Sequence, residues 1–294
     1  MLHLYPLSPH RKSDHAYLPA IARIHLAAWL TNPMMRTVFY GPASSHPEFI
    51  ASNLQRHSKA FVEEYDDERN ACRFAVVIDD AWRPDPEEES GKGGGDEDER
   101  PKGEVIAAIK YYLVNPNAPT SETASAPSST AVRTWPPYSN GALASHFWSC
   151  LVHVRTRLTA LLGPHVLVDN LYTDPVHHRR GAGGMLMQHA CAEADAKGWP
   201  SMLEASPAGL GVYERVGFRR VIAEDVDQIW VDLKRWENGG DKGKEFSQKR
   251  LEEDGGRGDG WYAQVVMVRP ATVAGGTTIA VDEAEVGREE AAVV

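Results

Sequence analysis

The chain has 294 residues, 42% of them hydrophobic, and a formal net charge of −10. That length allows one large domain or two small ones, and the apolar fraction is enough for a core. No run approaches the roughly 18 to 20 apolar residues of a membrane span, "MLHLYPLSPHRKSDH" lacks a basic start with an apolar stretch behind it, and no basic stripe offers itself to nucleic acid.

Ala16–Leu30 is predicted helical, because Leu18, Ile21 and Ile24 recur at near-helical spacing. Pro47–Tyr65 repeats the pattern with Phe49, Ile50, Leu54, Phe61 and Val62, and Pro47 suits a helix start. Arg73–Ile78 and Glu104–Val114 are β-branched and aromatic-rich, hence strands. Between them, residues 83–102 are Glu, Asp, Gly and Pro with almost nothing to bury, and read as a disordered insertion. Residues 115–140 form a Pro/Ser/Thr-rich loop. Leu143–Leu162 is predicted as a long helix with Phe147, Leu151, Val154, Leu158 and Leu161 on one face. Val166–Tyr172 is a strand, Gly183–Lys197 a helix stopped by Gly198, and Ser201–Ala205 a strand. Leu210–Val216 is a short helix ended by Gly217. Arg219–Ala223, Gln228–Leu233 and Trp261–Arg269 read as strands. Residues 237–259 form a second disordered insertion, with a short helix allowed near Phe246–Glu253, and residues 271–294 an acidic tail.

The two insertions and the tail carry roughly −4, −2 and −4, which is essentially the whole net charge. The acidity therefore describes solvated segments and leaves the rest near neutral. Cys72, Cys150 and Cys191 are too few and too scattered for a disulfide framework. Free thiols and absent targeting signals together suggest a cytoplasmic protein. The order of elements is that of an α/β (α+β) chain built around one mixed sheet.

The stretch "HHRRGAGG" (residues 177–184) follows a strand and opens a helix. Unpaired backbone N–H groups and a positive helix dipole favour an anion at such a place. Glycine lets the backbone come close and take positive φ. No Gly-Lys-Ser/Thr follows, so this is not a Walker loop, and it lies too far along the chain for a first-strand dinucleotide loop. His177, His178 and His189 lack the spacing of a metal site, so no metal is expected.

The strand before the loop reads Val168-Asp169-Asn170-Leu171-Tyr172-Thr173-Asp174-Pro175. The loop reads His178-Arg179-Arg180-Gly181-Ala182-Gly183. A second helix ends Val212-Tyr213-Glu214-Arg215-Val216-Gly217-Phe218. In this order and spacing, residues Val166 to Val221 resemble the GNAT superfamily of N-acetyltransferases, whose signature is L-x-x-L-x-V/T-x-P, then Q/R-x-x-G-x-G/A, then L-Y-x-x-x-G-F. His178 stands where the family carries Gln or Arg, and Ser206 where many members carry Asn.

The resemblance implies a GNAT-like mixed sheet over residues 1–270, with a splayed gap between Val166–Tyr172 and Ser201–Ala205 for acetyl-CoA. It implies that the backbone of Leu171, Tyr172 and Thr173 pairs with the pantetheine arm. Amides from Arg179 through Arg180, Gly181, Ala182 and Gly183 to Gly184 would cradle the pyrophosphate, flanked by His178 and Ser206. An acceptor amine attacks the thioester directly, without a metal. Tyr213 occupies the family's general-acid position, and a phenol with pKa near 10 suits a departing thiolate. Asp169 is the candidate base, with Glu204 behind it. Alternation puts Asp169 on the face of Leu171 unless a bulge intervenes. The resemblance places the acceptor site around Trp29, Met34, Met35, Phe39, Tyr40 and Trp135, residues that read equally as core packing, with the Pro/Ser/Thr-rich loop and the long helix as a cap. A small-molecule amine is the expected acceptor. A protein or peptide amine, and a non-catalytic acyl-CoA sensor, are the alternatives.

Overall fold

A computed structural model describes residues 1–81, 103–119, 135, 137–222, 228–236 and 260–271. The insertions expected at 83–102 and 237–259, most of the 115–140 loop, the short helix near Phe246–Glu253 and nearly all of the tail lie outside the described residues.

The chain opens with strand β1 (Leu2–Leu7) and a 3-10 turn into α1 (Leu18–Trp29), α2 (Pro33–Val38) and α3 (His46–Glu63). Strands β2 (Asn70–Asp79) and β3 (Glu104–Val114) follow, then α4 (Gly141–Leu162), β4 (His165–Thr173), α5 (Ala182–Lys197) and β5 (Ser201–Ala205). The last elements are α6 (Leu210–Glu214), β6 (Arg219–Arg220), β7 (Gln228–Asp232) and β8 (Trp261–Arg269). One sheet runs β1-β2-β3-β4-β5-β8-β6, with β7 also on β8. Among the described residues only β4 and β5 are parallel; every other pairing is antiparallel. The mixed α/β sheet read from the sequence is the one observed.

Two elements were not among those predicted. β1 holds Pro6, which weakens a strand reading. It lies on the sheet edge, pairing only β2, where a residue without N–H is tolerated. α2 has six residues, too few for a helical period. Asn32 starts it by accepting from the N–H groups of Met34 (2.9 Å) and Met35 (3.3 Å), with Pro33 in the first turn. The strand predicted at Arg219–Ala223 shortens to Arg219–Arg220.

Alternation on the strands divides the core between two faces. Ala75, Ile109, Val166, Val168, Leu203 and Met267 face α5 and α6. On the opposite face α1 and α3 cover Phe74, Val76 and Tyr172. Beside them α2 and α4 cover Leu167, Met202 and Val266. The sheet centre at β4 and β5 thus lies where these two helical layers meet. No described helix is long and apolar enough to cross a membrane.

Candidate functional site

β4 and β5 pair at three positions only: Val166 with Ser201, Leu167 with Met202, and Val168 with Leu203. Beyond Val168 the strands part. The cause is local: opposite Lys110 on β3 stands Asn170, and opposite Tyr111 stands Val168, so Asp169 is an extra residue in β4. Such a bulge bends its strand and increases twist. It also breaks the alternation, so that Val168 and Leu171, three residues apart, pack toward the same α5 layer. Asp169 turns instead toward α4. The unbulged alternative, which put Asp169 on the face of Leu171, is therefore corrected. Among the described residues no strand lies beside the β5-facing edge of Leu171, Tyr172 and Thr173.

The first residues past the last shared rung are Asp169 on β4 and Glu204 on β5. One guanidinium holds both. Arg155 of α4 donates from Nε and Nη2 to the two Glu204 oxygens, each at 2.9 Å, and from Nη1 to Asp169 Oδ1 at 2.9 Å. Lys110 Nζ stands 3.4 Å from Asp169 Oδ2, which also accepts from Asn170 Nδ2 at 2.6 Å. Burial works to raise the Asp169 pKa, but Lys110 and Arg155 overcome it and bring it down to about 2. A carboxylate so held is a weak proton acceptor. Asp169 as the direct base fits this geometry poorly, and Glu204, gripped by both oxygens, fits no better.

The loop between β4 and α5 has the shape its glycines suggested. Asp174 caps a 3-10 turn by accepting from Val176 N–H at 3.2 Å. Arg179 takes φ 64° and Gly181 φ 90°, so the chain enters α5 through two left-handed residues. Gly181 offers no side-chain cap. The first-turn amides of Ala182, Gly183 and Gly184 accordingly point outward without intrahelical partners. A Cβ at Gly183 would meet Thr173 Oγ1 at 3.6 Å and Leu171 Cδ2 at 3.8 Å, while one at Gly184 would meet nothing within 4 Å. The first turn of α5 therefore lies over the free stretch of β4, with open space in front of Gly184.

The side chains of the loop divide their work. Arg180 is committed to Asp79 of β2 at 2.6 Å and to His177 Nδ1 at 2.8 Å, so only its backbone faces the cradle. Arg179 is exposed and has no ion-pair partner among the described residues. The three histidines turn to separate partners: His177 to Glu104 (3.2 Å), His178 to the Thr173 carbonyl (3.2 Å) and His189 to the Tyr111 hydroxyl (3.3 Å).

Tyr213 projects from α6 beside the end of β5. Its ring folds over Gly209, where a Cβ would come within 2.8 Å of Cε2 and 3.4 Å of the Ser206 Oγ. Burial, with the Glu204 charge behind it, pushes the phenol up to about 12. The group is thus a fully protonated donor at neutral pH.

Of the two readings open for the aromatic residues 29–40, core packing holds for much of the group. Met34 and Phe39 are buried under α4, and Trp29 stacks on Phe39 at 5.4 Å. Tyr40 is exposed, and Trp135 ties to Ser145 Oγ at 3.0 Å. Trp29 also stands 4.0 Å from His25, whose ring stacks on Tyr172 at 4.3 Å. His25 Nδ1 and His57 Nε2 share a hydrogen bond of 2.9 Å. Burial pushes both imidazoles down, His57 to about 3.

Sequence reasoning missed Arg155 and Lys110, yet both left a signal. Arg155 lies four residues after Leu151 and beside Val154 on the inner stripe of α4. Lys110 interrupts "VIAAIKYYLV". A cation set into an apolar pattern is costly unless paired, and here each is paired.

Residues 145–220 match the acetyltransferase (GNAT) domain family, a span that begins in α4 and ends in β6. No curated protein matches the chain. Among solved structures, the chain is similar to the Corynebacterium glutamicum protein described as "histone acetyltransferase HPA2 and related acetyltransferase", at 15% identity over 92% of this chain and 96% of that one, with a TM-score of 0.45. It is similar to mosquito arylalkylamine N-acetyltransferase like 5b at 10% identity over 92% and 99%, with a TM-score of 0.45. The Drosophila melanogaster polyamine N-acetyltransferase follows at 10% over 91% and 99%, again with a TM-score of 0.45. At these TM-scores the likenesses add no weight to the family match. That match falls on the bulged strand, the glycine loop and the Tyr213 helix, and it identifies residues 145–220 as an acetyltransferase (GNAT) domain.

Proposed function

We propose that this acyltransferase moves an acetyl group from acetyl-CoA to the amine of a small molecule. The observation that carries the donor is the juxtaposition of the outward amides of Ala182, Gly183 and Gly184 with the edge of Leu171–Thr173 that no described strand covers. An anion suits the first, and an extended chain of amides suits the second. The residues fit the donor: no side chain fills the space before Gly184, and Arg180 braces the loop from behind through Asp79. His178, bonded to the Thr173 carbonyl, stands at the end of this edge, and exposed Arg179 adds positive charge to the loop.

When bound, acetyl-CoA supplies an acetyl thioester, whose C–S bond breaks as the acceptor nitrogen bonds to the carbonyl carbon. Tyr213 hands its phenolic proton to the departing sulfur. Water carries off the proton shed by nitrogen and restores the phenol. The phenol, raised to about 12, stays protonated through neutral pH and is close enough in acidity to a thiol to serve. Asp169 and Glu204 act as fixed anions of the cleft rather than as bases, so the acceptor enters already neutral. The small-molecule reading draws support from how closely α2, α4 and their aromatic contacts cover this face.

The test is turnover: free thiol released from acetyl-CoA across a panel of small amines and a Lys-containing peptide. The expected kcat/KM rises with pH along the ionisation of each amine. A common rise near pH 4–5 for every acceptor would mean an enzyme carboxylate is the base. Peptide turnover above that of every small amine would transfer the reading to protein substrates. Tight binding without turnover would leave a donor-binding module.

A further inference from the structure

We propose that Arg155 is a positioning residue that replaces the missing backbone rung between β4 and β5 and so sets the width of the donor cleft; this rests on the donor reading above. The paired part of the two strands ends at Val168 and Leu203. The next residue on each strand, Asp169 and Glu204, is bound by the same guanidinium at 2.9 Å on all three contacts. A backbone hydrogen bond is lost at the point of divergence, and a three-point ionic link stands in its place.

The link is built rather than incidental. The side chains of Arg155, Asp169 and Glu204 are 17%, 15% and 2% exposed. Arg155 comes from α4, whose buried Leu151, Val154 and Leu158 anchor it under the sheet. Trp148, one turn-pair earlier, stands 6.0 Å from the guanidinium. Lys110 leans on Asp169 from β3, so each carboxylate is matched and neither strand can drift without breaking a buried pair. A planar fork reaches two carboxylates at once; an ammonium cannot do so with the same geometry.

Two properties follow and can be separated. The fork fixes the distance between strands, which donor affinity reads. The charge helps hold the Asp169 carboxylate low, which the loss of stability in acid reads. Arg155→Lys keeps the charge and loses the fork; Arg155→Met loses both.

The full-length chain is assayed with acetyl-CoA by calorimetry and by steady-state kinetics at neutral pH, with thermal melts from pH 7 to 3 as the folding control and as the reading of the carboxylate. For Arg155→Met, kcat/KM for acetyl-CoA is expected to fall about a hundredfold, and the drop in melting temperature on going from pH 7 to 3 to become shallower, because Asp169 keeps only Lys110 as a cation. For Arg155→Lys, the acid dependence of the melt is expected to stay and the donor affinity to be weakened by about tenfold. A folded Arg155→Met chain with wild-type affinity and acid dependence of the melt overturns the proposal. So does an Arg155→Lys chain that restores both, because charge alone would then suffice. Where Arg155→Met does not melt cooperatively, Arg155→Lys decides by the same criterion. Failure of wild type to bind acetyl-CoA at all would instead sink the donor reading.

Discussion

Replacing Gly184 by Asp should make the protein more stable and its donor site worse. Gly184 is the third residue of α5, its backbone is helical, and a Cβ there meets nothing within 4 Å. Exchanging Gly for Asp inside a helix gains about 0.3 kcal/mol of propensity. The new carboxylate in the first turn, which holds no acidic residue, gains about 0.3–1 kcal/mol from the helix dipole. The sum, about 1 kcal/mol, should raise the melting temperature by a few degrees, on the order of 2–4 °C. The same carboxylate sits where a pyrophosphate would approach. A unit charge pair at about 4 Å in a partly exposed site costs roughly 3 kcal/mol, or about a hundredfold in affinity. Gly181 is unsuited to this test, because at φ 90° any side chain strains the backbone. The assay is thermal unfolding with and without acetyl-CoA for wild type, Gly184→Asp and the neutral Gly184→Asn. The expected pattern is a higher melt for Asp, a ligand-induced shift in wild type, a reduced one in Asn and none in Asp. An Asp variant that melts higher and still binds as wild type does would refute the cradle. An Asp variant that melts lower would refute the geometry of the helix start.

Other outcomes follow from the same geometry. Tyr213→Phe should lower kcat by about 10²–10⁴ with the KM for acetyl-CoA little changed, the loss expected for a proton donor; steady-state kinetics with one acceptor measure it. Gly209→Ala should fold, since its φ of −86° suits any residue, yet lower kcat in the same direction by pushing the Tyr213 ring away. Stability should also fall with acid through His57. Its folded pKa of about 3 lies below the ordinary 6.5, held down by burial and by the Lys110 and Arg56 charges. As pH drops below 6.5 the unfolded chain takes a proton that the native one refuses, so stability present at neutral pH is lost. From pH 6.5 to 5 the loss is about 2 kcal/mol for this one group. Denaturant unfolding at pH 7 and 5 should show it, and His57→Phe should flatten the slope, leaving the part that His25 contributes in the same direction.

Local sequence alone determined the elements that need only their own periodicity or punctuation. Helices α1, α3, α4 and α5 announce themselves through apolar spacing, and Gly198 is the stop expected for α5, which it makes in the left-handed conformation. The glycine loop is likewise legible, because positive φ and free amides are properties of one short stretch. β1 and α2 were not legible: one carries a proline that only an edge position excuses, and the other is too short to repeat. The chemistry around Asp169 was decided elsewhere. Its facing depends on a one-residue slip between β3 and β4, and that slip is a property of two strands, not one. Its pKa depends on Lys110, 59 positions before it, and Arg155, 14 positions before it, which meet it only because α4 crosses under the parting strands. A carboxylate's role is set by the charges within a few ångströms, and sequence distance carries almost no information about those. Residue types and their order therefore disclosed the loop and the family, while the tertiary fold alone decided which charged groups are free to react.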